Sequence, residues 1–586
     1  MARSSTSVPT ALRTRTTPTY QDGDVGSGPT SSANDDPDSR TGHITLETFK
    51  DHQSNKLPHK KLMVVFPAIA LAQMISYLDQ TSVSTAVPAI GSSLNLGPSI
   101  SWVAASFLIA STSVQLLNGR LSDIFGRKPL LLTCMGMLAV GNLVAGFSTS
   151  PAMLFAFRAL SGLGGGAINA LVMIIASDVT TLKERGKYNG FIGASVALGN
   201  GIGPLIGGAV TEKASWQWCM WFIVPFILCV MILLALVIPR SRVSGDIGTK
   251  LKMIDWAGLL INIAAVLLIL IPISMGGAAF AWNSPLVVTM LAVGGIMTLV
   301  FLLVEWRFAR LPIMPLRLFT NDISANLVLA YGTLQGVVYW ANLFYVPLYL
   351  QNVRGYGPII SGAVIVPMLV SHGLGSIVSG QIISRTGHYN LVIIPGNLVW
   401  TLGASLQTLY TRTTPIYAVC LIGFLQGIGI GFAFQPSLVS LLAHSRKADR
   451  AVINSLRNFL RTMGGAVGLT VSGAILNNVL ETRLTGHLPE PSITQLTSSA
   501  YALSSLDLTP PQHELVLDAY MSGMHSVFIM YAPLIGVSFI AASLVKDRGV
   551  AEKDASAAER KGAAGDGEIM EMMGNKCGGN GVAERT

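Results

Sequence analysis

The sequence has few charged residues for its length. Only 12% of its 586 residues are Asp, Glu, Lys or Arg, whereas 51% are hydrophobic. A soluble domain carries roughly 25% charged residues, so this composition excludes an ordinary soluble protein and indicates an integral membrane protein. The net charge of +9 would suit a nucleic-acid-binding protein, but the basic residues stand at the edges of apolar runs. We therefore expect no nucleic-acid partner.

Signatures of soluble chemistry are also missing. Of the five cysteines, four lie in or beside apolar runs, which argues against a disulfide framework. The sequence has no Walker loop, so ATP is not expected to drive the protein. No cluster of His, Cys, Asp or Glu has the spacing of metal ligands, and the lone His372 is expected to be a core residue. We expect no enzymatic activity, no metal and no cofactor.

What the sequence does contain is a series of apolar runs of about 20 residues, the length that crosses a bilayer core of roughly 30 Å. We count fourteen, among them residues 102–117, 391–409 and 459–479. They lie between two polar tails, residues 1–61 and 546–586, which have no hydrophobic periodicity. The tails are therefore expected to be disordered, and the charge count that follows places both in the cytoplasm.

The distribution of Lys and Arg tests this count. If the N-terminus is cytoplasmic, the cytoplasmic loops hold eighteen Lys and Arg and the outer loops hold four. Such a bias follows the positive-inside rule, and one miscounted span would reverse the sides of all later loops. We therefore expect fourteen spans, both termini in the cytoplasm, and a long outer loop over residues 480–523 before a last span that begins at Ser526.

The connector between the second and third apolar runs, residues 119–128, is short and polar. It reads G-R-L-S-D-I-F-G-R-K and resembles the G-x-L-x-D-x-x-G-R-K signature loop of the major facilitator superfamily of secondary transporters. The resemblance implies a gate made of Gly119, Asp123, Gly126 and Arg127. Asp123 and Arg127 are spaced to pair across one helical turn or to reach neighbouring helix ends. We expect them to latch the cytoplasmic side in the outward-open state.

Three charged residues fall inside the apolar runs: Asp79, Arg158 and Arg461. Each costs about 2.5–3.5 kcal/mol near the bilayer centre, so such residues are candidates for function. Arg461 is close to the cytoplasmic end of its run and is expected to reach the membrane edge, as is Glu305 at the end of another run.

Asp79 and Arg158 fall at comparable depth in the outer half of the membrane, counting 1.5 Å per residue from the span ends. We expect them to face one aqueous cavity, with Asp79 as the protonatable group. Arg158 would either tune the protonation of Asp79 or leave Asp79 to pair with the substrate. The alternative is a static ion pair that only holds the first and fourth spans together.

Further motifs resemble the fourteen-span drug:proton antiporters of the same superfamily. They are L-D-Q-T…A-V-P from Leu78, R-A-L-S-G-L-G-G from Arg158, and G-N-G-I-G-P-L-I-G-G in the fifth span. The last contains the antiporter motif residues Gly199, Gly203, Pro204 and Gly207. Its glycines form a flat strip for close packing and its proline can bend the helix. A packing face with no role in the direction of transport is the alternative.

The resemblance, closest to fungal-type multidrug or toxin efflux carriers, implies an all-α integral membrane protein with the major facilitator fold. Two six-helix bundles, residues 62–239 and 307–545, would be joined by a linker (residues 240–306) that carries two extra transmembrane helices, which makes fourteen spans. Residues 380–387 are a degraded copy of the signature loop in the second bundle, with Ser384 in place of its Asp.

Polar and aromatic side chains within or beside the spans are the candidates for a substrate cavity: Gln115, Asn169, Gln335, Tyr339, Trp340, Asn342, Tyr345 and Gln435. Each one alone is more often a contact between helices. As a set, the residues from Tyr339 to Tyr345 suggest an aromatic wall for amphipathic organic molecules.

We therefore expect a proton-coupled antiporter that exports small organic molecules (drugs, toxins or secondary metabolites) by alternating access. It would act as a monomer in the plasma membrane, and its partners would be the substrate, protons and the lipid bilayer. One alternative is a vacuolar transporter of basic amino acids or of a siderophore. Another is a non-transporting sensor of the same fold.

Overall fold

The computed structural model describes residues 59–94, 96, 102–180, 182–238, 255–275, 280, 282–308, 313–314, 316–445, 449–498 and 508–549. The regular structure of these residues is helical. The two predicted tails lie outside the described residues, apart from 59–61 and 546–549.

The first half of the fold consists of seven helices: α1 (His59–Ser93), α2 (Trp102–Phe125), α3 (Arg127–Ala145), α4 (Pro151–Val179), α5 (Leu182–Lys213), α6 (Trp216–Trp221) and α7 (Ile223–Val237). The short α6 continues into α7, because Phe222 between them keeps a helical conformation. α4 begins where Ser150 caps it by accepting a hydrogen bond from the backbone of Met153, with Pro151 at the first helical position.

Two helices, α8 (Trp256–Met275) and α9 (Pro285–Arg307), form a central pair. Asn262 of α8 donates a hydrogen bond to the backbone of Ser113 in α2, at 3.3 Å. Val266 and Leu270 pack with Ile109 of α2 and Phe459 of the second half. Through α8, the central pair therefore lies against the junction of the two halves.

The second half consists of α10 (Arg317–Asn321), α11 (Ile323–Leu348), α12 (Pro358–Thr386), α13 (Asn390–Gln407), α14 (Ile416–Ala443), α15 (Arg450–Leu484), α16 (Glu490–Ser498) and α17 (Pro510–Ser543). A π-helical turn, Tyr349–Val353, continues α11. Here the structure corrects the predicted long outer loop. α15 continues to Leu484, α16 occupies part of the loop, and α17 begins at Pro510, well before Ser526.

Twelve helical segments of the described chain are long and apolar enough to cross a membrane, as expected of a multi-pass membrane protein. α2 and α13 fall outside this set, so the count of fourteen spans is not confirmed. Both are nevertheless packed among the spanning helices. An added Cβ at Gly166 of α4 would lie 2.7 Å from Cα of Ser111 in α2, and one at Gly429 of α14 would lie 2.7 Å from Cα of Trp400 in α13.

The apolar core differs between the two ends of the bundle. We call the end where α2 meets α3, at residues 122–128, the motif end. There one buried cluster includes Leu116 and Leu171 of the first half together with Leu442 and Val452 of the second. Toward the opposite end, each half has a buried cluster of its own. The two halves are therefore joined by a continuous apolar core at the motif end.

Candidate functional site

A small cavity lies between the two halves, beside α1, α2, α4 and α5 of the first and α11, α12, α14 and α15 of the second. Its volume is about 30 Å³, which is room for about two water molecules. Five of the predicted cavity residues line it: Gln115, Asn169, Tyr339, Trp340 and Gln435. A cavity of this size must widen before it can hold an organic substrate.

Three predicted cavity residues do not line this cavity. Gln335 donates to Oδ1 of Asn397 at 2.8 Å, and the hydroxyl of Tyr345 donates to the backbone of Leu469 at 3.1 Å. Asn342 accepts a hydrogen bond of 2.8 Å from Gln407. With 3.6 residues per turn, these three lie on a stripe of α11 that faces the interior of the second half. The predicted aromatic wall is therefore reduced to Tyr339 and Trp340.

Tyr339 and Trp340 also connect the halves. Asn200 of α5 donates to the hydroxyl of Tyr339 at 2.9 Å. The rings of Tyr77 and Trp340 stack with their centroids 6.5 Å apart. The aromatic pair of α11 thus forms a wall of the cavity and a contact with α1 and α5.

Sequence reasoning missed several lining residues, above all Arg461 and His372. The prediction that Arg461 reaches the membrane edge is wrong, because α15 begins at Arg450, so Arg461 lies about three turns inside the helix. Its guanidinium is 5.0 Å from the ring centroid of Phe434 and donates to Oδ1 of Asn458 at 3.4 Å. The cue in the sequence was the unbroken helical pattern before the apolar run.

The same early helix start affects Arg457, one of the eighteen Lys and Arg that the sequence count places in cytoplasmic loops. Arg457 is buried in α15, where it donates to the backbone oxygen of Phe434 and to Oγ of Ser437 at 3.0 Å. Glu305 is also buried, contrary to the expectation that it reaches water. Its carboxylate accepts two hydrogen bonds of 3.1 Å from the backbone amides of Ile313 and Met314.

Asp79 and Arg158 are brought together inside the first half. Nη1 of Arg158 lies 3.3 Å from Oδ2 of Asp79 and 3.5 Å from Oδ1 of Asn142, and the guanidinium stands 4.8 Å over the ring of Phe107. The exposed fractions of the Arg158 and Asp79 side chains are 1% and 0%. Neither lines the cavity, so the expectation that both face it is wrong for this conformation. The next residue, Gln80, lines it instead.

The signature loop forms a network at the motif end. α2 and α3 are separated only by Gly126, whose φ of 89° requires the freedom of a glycine. Nη1 of Arg127 lies 2.6 Å from Oδ1 of Asp123 across this break. Nε of Arg127 lies 2.8 Å from Oδ2 of Asp178 at the end of α4. Gly119 faces the second half, where an added Cβ would lie 3.0 Å from the backbone oxygen of Ala451.

The antiporter motif packs inside the first half. An added Cβ at Gly203 would lie 3.1 Å from the backbone oxygen of Leu78, and those at Gly199 and Gly207 would also meet α1. Pro204 lies within the same helix, α5. The predicted strip thus faces α1 and not the cavity.

The contact of α5 with α12 in the second half uses other glycines. An added Cβ at Gly186 would lie 3.0 Å from the backbone oxygen of Gly380, and one at Gly190 would lie 3.2 Å from Cα of Ile377. These crossings bring the motif-end part of α5 against the degraded loop copy.

A polar cavity between two helical halves, closed at one end, is the arrangement of a secondary transporter, and comparison with known proteins agrees. Residues 69–469 match the profile of the Major Facilitator Superfamily. The chain belongs to the Major Facilitator Superfamily. Members of this superfamily are transporters of small molecules, which points away from an enzyme.

The relatives are transporters by name. Citrate exporter 1 of Yarrowia lipolytica is 38% identical over 515 residues, which cover 88% of this chain and 76% of that protein. The MFS-type transporter clz4 of Cochliobolus lunatus is 35% identical over 492 residues, which cover 84% of this chain and 87% of that protein. Among solved structures, the proton:xylose symporter XylE matches with a TM-score of 0.54 at 14% identity, over 84% of this chain and 97% of that chain. This likeness confirms the major facilitator fold.

Proposed function

We propose that the protein is a proton-coupled antiporter that exports small organic molecules by alternating access, and that it belongs to the fourteen-span drug:proton antiporters. The observation that carries the proposal is the polar cavity between the two halves, at a junction that is closed at the motif end. Alternating access requires such a site, with barriers that open on one side at a time.

In this proposal the motif end is cytoplasmic, because the basic loops lie there. The division into two six-helix bundles, residues 62–239 and 307–545, with α8 and α9 in the linker of residues 240–306, follows the same scheme. α2 and α13 then count as spans because each packs along a spanning neighbour. Both termini are cytoplasmic, and the protein works as a monomer in the plasma membrane.

The motif end would open when the contacts of Arg127 with Asp123 and Asp178 and the glycine crossings of α5 with α12 separate. A second barrier at the outer end would close in exchange, so the cavity faces one side of the membrane at a time. Substrate enters from the cytoplasm when the motif end is open. It leaves when the motif end is closed, as in the conformation described here, and the outer end opens.

Asp79 is our candidate for the proton-carrying group. It is fully buried and paired with Arg158, and a charge so placed is a functional candidate in a membrane protein. Protonation of Asp79 would release Arg158, which then needs another partner, and the change would bias the packing of α1 against α4. Protonation of Asp79 and binding of substrate in the cavity would therefore influence each other through the packing of the first half, although the two sites are separate.

Export is supported by the names of relatives. Besides the citrate exporter, the efflux pump dotC of Dothistroma septosporum is 31% identical over 499 residues, 83% of this chain and 85% of its own. An exporter is the simplest function that agrees with the names of these relatives.

The experiment is transport by the purified protein in liposomes. An imposed proton gradient, acidic inside, should drive the uptake of a labelled organic probe into liposomes, tested with both the cation ethidium and the anion citrate, and an uncoupler should abolish it. Uptake that ignores the direction of the gradient would contradict proton antiport. A protein that binds but never moves the probes or any tested organic compound would instead support the sensor. Fluorescent tagging in cells distinguishes the plasma membrane from the vacuolar membrane, where basic amino acids or siderophores would be the substrates to test.

A further inference from the structure

The charge of the cavity wall is one-sided. Of the sixteen described residues that line it, Arg461 is the only one with a permanent charge, and none is Asp or Glu. Arg461 and His372 come from the second half, and the ring of Phe434 lies beside both of them. Trp340 lines the same cavity. A cationic ligand would meet no counter-charge in this wall, whereas an anionic ligand would.

The positive charge next to the cavity is uncompensated. Arg457 and Arg461 lie four residues apart on α15 and both donate to Oδ1 of Asn458, at 3.4 Å each. The other partners of Arg457 are neutral oxygens of Phe434 and Ser437. Neither arginine forms an ion pair with a carboxylate in the described part of the chain. Arg158, by contrast, is neutralised by Asp79.

Two unpaired cations inside membrane-spanning segments are costly and call for an anionic partner. The protein supplies none among its described residues, so the missing charge is available to a ligand. Arg461 is suited to this role, because only one of its five N–H donors is hydrogen-bonded within the described chain. Its planar fork matches a carboxylate in a bidentate geometry. The face of Phe434 holds the guanidinium in place.

Unused hydrogen-bonding groups surround the cavity. Both ring nitrogens of His372 and the side-chain oxygens of Gln115 and Gln435 are buried and have no partner in the described chain. Buried polar groups of this kind are normally satisfied, so each needs an explanation. The two glutamine amides can also turn to present N–H groups.

We infer that the cavity binds an organic anion through a carboxylate, with Arg461 as its charged ligand and His372 and Gln435 as hydrogen-bonding partners. This inference rests on the proposed function, since it names the substrate class of the same cavity. Trp340 and Phe434 would contact the carbon skeleton. Binding takes place in a conformation wider than the one described here.

The test compares two probes that share a skeleton but differ in charge, citrate and its neutral trimethyl ester. Bound ligand raises the melting temperature of a protein that binds it only when folded. We expect citrate, and not the ester, to raise the melting temperature of the full-length protein in detergent. Arg461→Gln should weaken citrate binding by about tenfold or more. Arg461→Lys should restore part of it, because the charge returns without the fork.

The matched control is Arg483→Gln, which removes an exposed arginine from the same helix and should leave the citrate response intact. If Arg461→Gln does not give a monodisperse protein, citrate and its ester can still be compared on the wild type and on Arg461→Lys. That comparison tests whether binding depends on the charge of the ligand and on the guanidinium. The inference is overturned if the ester stabilises the protein as well as citrate does, or if citrate binds Arg461→Gln and the wild type equally. Liposomes that take up ethidium under a proton gradient but show no citrate response would leave the proposed export standing and reject only the anion site.

Discussion

Arg127 and Asp178 are joined by a hydrogen bond of 2.8 Å between Nε and Oδ2, although they lie 51 residues apart in the chain. This contact holds the end of α4 against the corner between α2 and α3. Asp123 is the second acid on the same guanidinium. The gate at the motif end thus has a partner, Asp178, that the signature loop does not contain.

Asp178→Asn should loosen the motif end more than Asp123→Asn does, because Asp178 ties α4 to Arg127, whereas Asp123 only bridges the one-residue break between α2 and α3. In a variant without other reactive cysteines, Ser122→Cys reports the opening, since Ser122 is fully buried in the closed end. We expect Asp178→Asn to raise the rate of its labelling by a polar maleimide severalfold and to slow transport. Asp518→Asn, an exposed acid at the opposite end, is the control. Equal labelling rates in Asp178→Asn and in the control would show that the contact of Arg127 with Asp178 does not keep the motif end closed.

The crossing of α5 and α12 should tolerate no side chain. In Gly380→Ala, the new Cβ would overlap the backbone oxygen of Gly186 and lie 3.3 Å from Cα of Gly190. Because overpacking costs about 1–3 kcal/mol, we expect a lower melting temperature and a strong loss of transport. Gly136→Ala is the matched control, since nothing lies within 4 Å of the added Cβ in α3. Normal transport by Gly380→Ala would mean that the motif end closes elsewhere.

The sequence predicted the class of fold well, because apolar length and the bias of basic residues are both physical consequences of crossing a membrane. The major facilitator fold is confirmed, and Asp79 and Arg158, placed at comparable depth by counting residues, are in contact. Depth along a helix follows from 1.5 Å per residue. The direction in which a side chain points around the helix axis depends on the neighbouring helices. Asp79 and Arg158 therefore face the interior of the first half and not the cavity.

In the second half, residue type and the length of apolar runs did not predict which side chains face the cavity or where a helix begins. Tyr345 and Trp340 read alike in sequence, yet only Trp340 reaches the cavity. The apolar run predicts a span that begins only at Phe459, because the first turns of α15 are polar, and this late start hid the burial of Arg457 and the position of Arg461 in the cavity wall. Polar turns are stable there because they lie among other helices and not in lipid, which hydropathy alone does not distinguish.

The difference between Trp340 and Tyr345 is testable. Trp340→Ala should alter which compounds are transported and raise the half-saturating substrate concentration severalfold, because it removes an aromatic surface from the cavity wall. Tyr345→Phe removes only a hydroxyl that donates to Leu469 and should leave substrate selection unchanged. Competition between several labelled compounds measures both. If Tyr345→Phe changes selectivity and Trp340→Ala does not, the cavity between the halves is not the substrate site.

The roles of Asp79 and Arg158 can be separated from the stability that their contact provides. Breaking a buried ion pair by removing one partner costs about 3–5 kcal/mol, whereas neutralising both partners is often tolerated. Asp79→Asn should therefore lower the melting temperature, and the double variant Asp79→Asn with Arg158→Gln should recover most of it.

Proton coupling should not recover with stability. If Asp79 carries the proton, both variants should transport substrate without accumulating it against a gradient, and an imposed pH difference should no longer change the rate. Uptake into liposomes with and without a pH difference measures this, with expression and melting temperature determined on the same preparations. A double variant that is stable and still driven by the proton gradient would mean that the pair is a static connection between α1 and α4, and that the proton travels by another group.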